Sequence, residues 1–314
     1  MSHGLRFGCL ATRPTRSRQE WLDQARQTEE RGFSTLQVSD HFIRTPLAPL
    51  VALSAAAQVT STIRLGTLVL DNDFRHPAVL AKEISTLDQL SDGRVELGLG
   101  AGWLDEDYEV SGITMDPPGA RINRLAEAVQ VLRGAFTGDA VSTKGTHYRT
   151  GGLRAVPHPV QRPAPPLLLG GGGPRVLRLA ARHADIVGIN LLNAEGHTGA
   201  GSARSAYEDA IDEKVAVVRA ATTEAGRDPQ LHVIAYWAEV TDEPESAIRR
   251  KIDQLGIPVT PEQLVHAPHC LIGPLGYLTD RIAELCERWG FSYFTVYDRD
   301  AQSCAPLVSA LAGS

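Results

Sequence analysis

Short apolar runs alternate with amphipathic stretches along the whole chain. The runs at 5–10, 35–38, 63–70, 95–99, 167–169, 185–190, 231–240 and 291–297 read as strands. The stretches at 18–31, 48–60, 77–90, 121–136, 175–182, 207–225, 243–255 and 277–289 read as helices, and one more helix closes the chain. The segment 77–90 shows the logic. Leu80, Ile84 and Leu87 recur at helical spacing and share one face. Pro77 falls in the first turn, where its missing N–H costs nothing, and Asp92-Gly93 stops the helix with a residue suited to the left-handed conformation. Each strand is followed by a helix, and a parallel crossover needs such a return segment. Eight such units predict closure into a (β/α)8 barrel, a TIM barrel.

Three stretches interrupt this rhythm: 105–120, 138–166 and 188–204. The second carries Pro157, Pro159, Pro163, Pro165 and Pro166 and resembles an interdomain linker. We read all three as insertions in one barrel domain spanning 1–314. The first is expected over the site, and the third is a candidate lid.

Composition narrows the partners. The 314 residues are 43% hydrophobic and carry a net charge of −6, which offers no basic field for nucleic acid or an anionic membrane. Lys82, Lys144, Lys214 and Lys251 are the only lysines, so a phosphorylated ligand must be gripped by backbone amides or arginines. Cys9, Cys270, Cys286 and Cys304 are far apart with no C-x-x-C pair, which argues against a disulfide framework or a metal site. His266 and His269 lack the H-E-x-x-H frame of a zinc site. No leader-like or membrane-spanning pattern is present, so a cytoplasmic protein is expected.

In a parallel barrel the chemistry gathers at the carboxyl ends of the strands. Asp40-His41 follows the second strand, where a histidine can hold or move a proton and the carboxylate can orient it; the pair can equally just tidy the turn. Asp71 and Asp73 follow the third strand without the glycine and distal glutamate of a calcium loop. His76, before Pro77, reads as structural. After the fourth strand come Gly98, Gly100, Gly102 and Trp103, spaced G-x-G-x-G, which is not the dinucleotide fingerprint. These glycines would let a flat ligand approach the backbone, with Trp103 as a wall or a loop anchor. Gly170, Gly171, Gly172 and Gly173 run straight into a helix start, which suits a phosphate; a flexible turn is the plainer reading. No G-K-[ST] follows, and no G-x-S-x-G elbow is present.

The stretches IRLGTLVL and HPAVLAKEISTLDQLSDGRVELGLGAGW, together covering most of 63–103, resemble the luciferase-like monooxygenase superfamily. Segments 29–42 and 167–190 are similar to it as well, and the likeness spans nearly the whole chain. It implies a (β/α)8 barrel and a flavin-type cofactor, F420 or FMN. The Asp-His pair resembles the F420-dependent branch, which places Asp40 and His41 beside the cofactor, with His41 as the catalytic proton donor or acceptor. The likeness also implies a non-proline cis peptide at Leu68–Val69 supporting the ring, and Gly172 and Gly173 near the cofactor phosphate. Two departures stand out. Trp103 occupies the place of a glutamate found in a sugar-phosphate-oxidising member, and Asp71 stands where a small hydroxyl residue is common. The expected activity is hydride transfer between F420 and a small organic substrate. The alternatives are an FMN-dependent monooxygenase fed by a separate reductase, and a non-catalytic flavin-binding protein. The resemblance also implies a homodimer.

Overall fold

The computed structural model describes residues 3–193, 196–197, 200–255 and 260–311. Eight parallel strands close into a barrel: β1 (Arg6–Ala11), β2 (Thr35–Val38), β3 (Arg64–Thr67), β4 (Val95–Gly100), β5 (Leu167–Gly171), β6 (Ile186–Ile189), β7 (Gln230–Ala235) and β8 (Phe291–Tyr297). Each pairs with the next, β8 pairs with β1, and the β3–β4 pairing completes the ring. The (β/α)8 expectation is met.

Side-chain alternation sorts the barrel into two environments. Leu36, Leu65, Leu97, Leu99, Leu169, Val187 and Phe294 belong to the large core between the strands and the surrounding helices. The opposite parity supplies a smaller cluster of Leu10, Leu68, Leu168, Ile186, Ile234 and Tyr293. The same parity carries the buried polar residues Thr35, Gln37, Glu96, His232 and Thr295. Glycine makes the room for them: a Cβ on Gly8 would stand 2.6 Å from Gln37 Oε1, and one on Gly66 would stand 2.9 Å from Thr35 Cγ2.

The helices follow their sequence signals closely. Ser17 caps Arg18–Glu30, accepting from the Glu20 N–H, and His76 caps Pro77–Leu90, accepting from the Ala78 N–H. The structural reading of His76 therefore holds. Asp92 and Gly93 both take positive φ just after that helix.

Three expectations are corrected. Segment 105–120 is largely helical. Asp105–Ser111 forms a short helix ended by left-handed Gly112, and the next helix begins at Pro118, three residues earlier than read. Gly112 and the Pro117-Pro118 pair are helix punctuation there, not loop filler. Within 138–166 a hairpin forms from Val141–Lys144 and Arg149–Leu153. The run 231–240 is two strands: β7 ends at Ala235, and Trp237–Val240 pairs outside the barrel with Cys270–Gly273. Trp237, Ile248, Leu264 and Ile272 build a satellite core there, so the apolar run crosses from one core to another without a polar break. Of the third interruption, 188–204, residues 194–195 and 198–199 lie outside the described residues.

Candidate active site at the barrel mouth

A cleft of about 1230 Å³ opens at the carboxyl ends of the strands. Asp40, His41, Leu68, Val69, Asp71, Gly100, Gly102, Trp103 and Gly170 through Gly173 all line it. The folded chain thus brings these residues to one cavity, which Gly98 does not line.

His41 follows β2, and its Nδ1 stands 2.5 Å from Asp107 Oδ2. The other oxygen of Asp107 accepts the Phe42 N–H at 2.9 Å. Asp107 is buried and comes from the short helix after β4. A carboxylate on Nδ1 fixes that nitrogen as the donor and leaves Nε2 as the one that can take or give a proton. Trp103 meets the His41 ring edge-on at 5.9 Å, and the Arg44 guanidinium lies 5.4 Å from the indole centre.

Asp40 does not orient His41. Its carboxylate pairs with Arg75 through both oxygens, one contact being very short and the other 3.2 Å, and it also accepts the Asp71 N–H at 3.2 Å. Asp40 therefore ties the ends of β2 and β3 together, while the orienting carboxylate comes from a different loop. Sequence reasoning missed Asp107, Tyr108 and Arg75. The acidic run at 105–107 was a signal, but nothing in it said which residue would reach back to His41.

The peptide Leu68–Val69 is cis, as the resemblance implied. It breaks the third strand, which resumes as Leu70–Asp71 against β4. Asp71 lies beside Tyr108, whose hydroxyl is 3.1 Å from Asp71 Oδ2 and 3.0 Å from Asp73 Oδ2. Burial pushes the Asp71 carboxyl up to about 7, with the charges of Asp73 and Asp40 adding to the rise.

The glycines divide into two kinds. A Cβ at Gly98 would fall 1.9 Å from Thr67 O, at Gly102 1.9 Å from Tyr108 Oη, at Gly171 2.3 Å from Val176 Cγ1, and at Gly172 2.3 Å from Leu191 O. These glycines are demanded by the chain's own packing, and Gly102 is left-handed as well. At Gly170 and Gly173 the nearest atoms to such a Cβ are 3.8 Å and 3.6 Å away. A side chain there would fit the protein and fill the cleft instead. The helix Pro174–His183 opens at Gly173 with no side-chain cap, so its first N–H groups and dipole face the cleft end where Arg175 also stands.

The far wall comes from the third interruption and β7. Asn190 accepts from the Tyr236 hydroxyl in a very short contact, and the buried Lys214 ammonium donates to Asn190 O at 2.9 Å and Ser205 O at 2.6 Å. Burial lowers Lys214 to about 8. Asp105 N donates to Gly196 O at 3.2 Å, so the first and third interruptions touch beside the opening. His232 lies deeper, with Nε2 2.9 Å from Thr295 Oγ1. Burial, with help from Arg6, lowers it to about 3, which keeps it neutral.

A sequence model of the luciferase-like monooxygenase family matches residues 5–271. The chain belongs to that family. An F420-dependent glucose-6-phosphate dehydrogenase of Kribbella flavida is 30% identical over 263 residues, covering 77% of this chain and 76% of the relative. Among solved structures, the F420-dependent tetrahydromethanopterin reductase of Methanopyrus kandleri superposes with a TM-score of 0.79 at 18% identity, covering 98% of this chain and 100% of that one. The oxygenating constituent of 3,6-diketocamphane monooxygenase from Pseudomonas putida, solved with FMN, gives 0.73 at 20%, covering 99% and 98%. The chain is an oxidoreductase of the luciferase-like kind. Among the described residues, no helix is long and apolar enough to cross a membrane, and no group of His, Cys, Asp and Glu is arranged to hold a metal ion.

Proposed function

We propose that this chain is an F420-dependent oxidoreductase that moves a hydride between the deazaflavin and a small organic substrate, with His41 handling the accompanying proton. The observation that carries the reading is the Asp107–His41 pair on the wall of the cleft at the carboxyl mouth of the barrel. A histidine gripped at Nδ1 and bordering the cleft is placed to give or take a proton at Nε2. The K. flavida relative named as F420-dependent supports the choice of cofactor.

The cleft fits such a group. Gly170 and Gly173 leave space that a Cβ would fill, and the uncapped start of Pro174–His183 with Arg175 suits an anionic tail. Leu68, Val69 and Trp103 are the apolar surfaces available to a flat ring. The cofactor supplies the two-electron carrier. Everything else falls to the chain: Asp107 holds the imidazole, His41 gives or takes the proton, and the two touching interruptions limit access of water.

The rival reading is an FMN-dependent monooxygenase, a chemistry that the P. putida structure shows on the same fold. That chemistry needs a dry pocket, whereas this wall carries His41, Asp107 and Asp71. Titration with F420 and with FMN, each oxidised and reduced and followed by fluorescence or calorimetry, decides between them. The expected result is tight F420 binding, weak FMN binding and turnover indifferent to oxygen. The reverse preference, with oxygen consumed in the presence of reduced FMN, makes the chain a monooxygenase.

A further inference from the structure

We propose that Asp71 holds a proton at neutral pH and serves as a second proton donor of the cleft, opposite in origin to His41 and linked through the Tyr108 hydroxyl to Asp73. The charges around it do not balance. Asp40, Asp71, Asp73 and Asp116 lie close together, and two guanidinium groups pair with them. Asp40 takes Arg75, and Asp73 and Asp116 share Arg124. Arg121 is near, 6.0 Å from the Tyr108 ring, but it donates to the carbonyls of Ala101, Gly102 and Asp116. Asp107, on the same helix as Tyr108, is committed to His41. Asp71 therefore meets no guanidinium among the described residues.

One hydrogen bond opposes a neutral Asp71, the Asp73 N–H donating to its Oδ1 at 2.9 Å; the contacts of Tyr108 favour it. The Tyr108 hydroxyl stands 3.1 Å from one carboxylate and 3.0 Å from the other, yet it has a single proton and donates to only one of them. The second contact is an attraction only if a carboxyl oxygen brings its own proton. Asp73 has the Arg124 guanidinium at 2.7 Å and Asp71 has none, which assigns the proton to Asp71. Burial of Asp71 favours the same neutral form.

Donation then balances without a further reagent. The Asp71 O–H bond breaks, the proton passes to an acceptor atom of the ligand, and the electron pair stays on the carboxylate. The Tyr108 hydroxyl turns from Asp73 to the new charge, and solvent later returns the proton. As a donor to a bound substrate or cofactor this rests on the function proposed above, but possession of the proton does not.

Infrared titration of the ligand-free protein between about pH 3 and pH 9 tests the proton directly. The wild-type chain is expected to show a carboxylic acid carbonyl band that disappears through neutrality. The band is absent in Asp71→Asn. A band that disappears only in the ordinary range near 4, or that survives unchanged in Asp71→Asn, overturns the proposal. With whichever cofactor binds, Asp71→Asn is expected to lose about tenfold or more in kcat with binding retained, and an unchanged kcat removes the donor role. If neither cofactor binds the wild-type chain, the proposed function fails while the infrared result still decides where the proton sits.

Discussion

The two ends of the barrel interior are both polar, but one is buried and the other borders a cleft. Toward the amino ends of the strands, Arg6 Nη1 stands 2.8 Å from Glu96 Oε2 and its guanidinium covers the Tyr293 ring at 3.8 Å. Tyr293 donates to Glu96 at 2.9 Å and accepts from Gln37 at 2.9 Å, while Thr295 donates to Gln37 at 2.8 Å. His232 completes the chain at 2.9 Å from Thr295. Cation meets anion, and each donor in the series meets an acceptor within the protein. At the carboxyl mouth, Asp71 meets no guanidinium among the described residues, and His41 and Asp71 border a cleft. A closed polar network adds rigidity; an unbalanced one beside a cavity leaves groups able to exchange protons with a ligand.

The sharpest way to break the comparison is to delete one member at each end. His41→Ala is expected to lower turnover by about 10²–10⁴-fold while leaving the unfolding midpoint near that of the parent. A stability loss with turnover preserved places His41 in the fold rather than the chemistry. Glu96→Ala should do the converse. It strands Arg6 and Tyr293 and costs about 3–5 kcal/mol of stability, read by denaturant unfolding, with turnover per folded molecule close to the parent's.

Asp107→Asn sharpens the contrast within the mouth. Asparagine keeps the size and one acceptor but not the charge, so turnover should fall by about tenfold with cofactor affinity little changed. Equal turnover would return His41 to the plain role of a turn residue. The smallest effect is that of Asp71→Asn on stability, and it depends on pH. Asp71 titrates at about 7 when folded, above its ordinary value near 3.9. The folded state therefore holds the proton more tightly than the unfolded one. This contribution is fully present below the unfolded value and is lost as pH rises toward 7. Asp71→Asn should gain in stability relative to the parent between pH 5 and pH 8, as thermal unfolding at the two pH values will show. A gap that stays constant contradicts the raised titration.

Much of this was legible in the chain. Strand–helix alternation with capping signals such as Ser17, His76 and Gly93 follows from local periodicity and backbone preference. The position of His41, Asp71 and the glycine runs after strands followed from the rule that barrel chemistry sits at carboxyl ends. Locally ambiguous segments were not legible. Pro117 and Pro118 read as loop until the helix they open is seen, and 231–240 read as one strand because Trp237 is as apolar as Ile234.

What the sequence determined by itself was therefore the barrel and the set of residues at its mouth, because both depend on short-range order along the chain. What only the tertiary structure decided was who partners whom. Asp40 lies next to His41 in sequence, but Arg75 claims it, and the carboxylate that grips His41 comes from Asp107, 66 positions away. Two glycines of one run, Gly172 and Gly173, read alike in sequence; the first is forced by the Leu191 backbone, and a Cβ on the second would meet only the Leu192 side chain at 3.6 Å. Pairing of charges and the crowding around a Cα arise from segments distant in sequence, and folding alone brings those segments into contact.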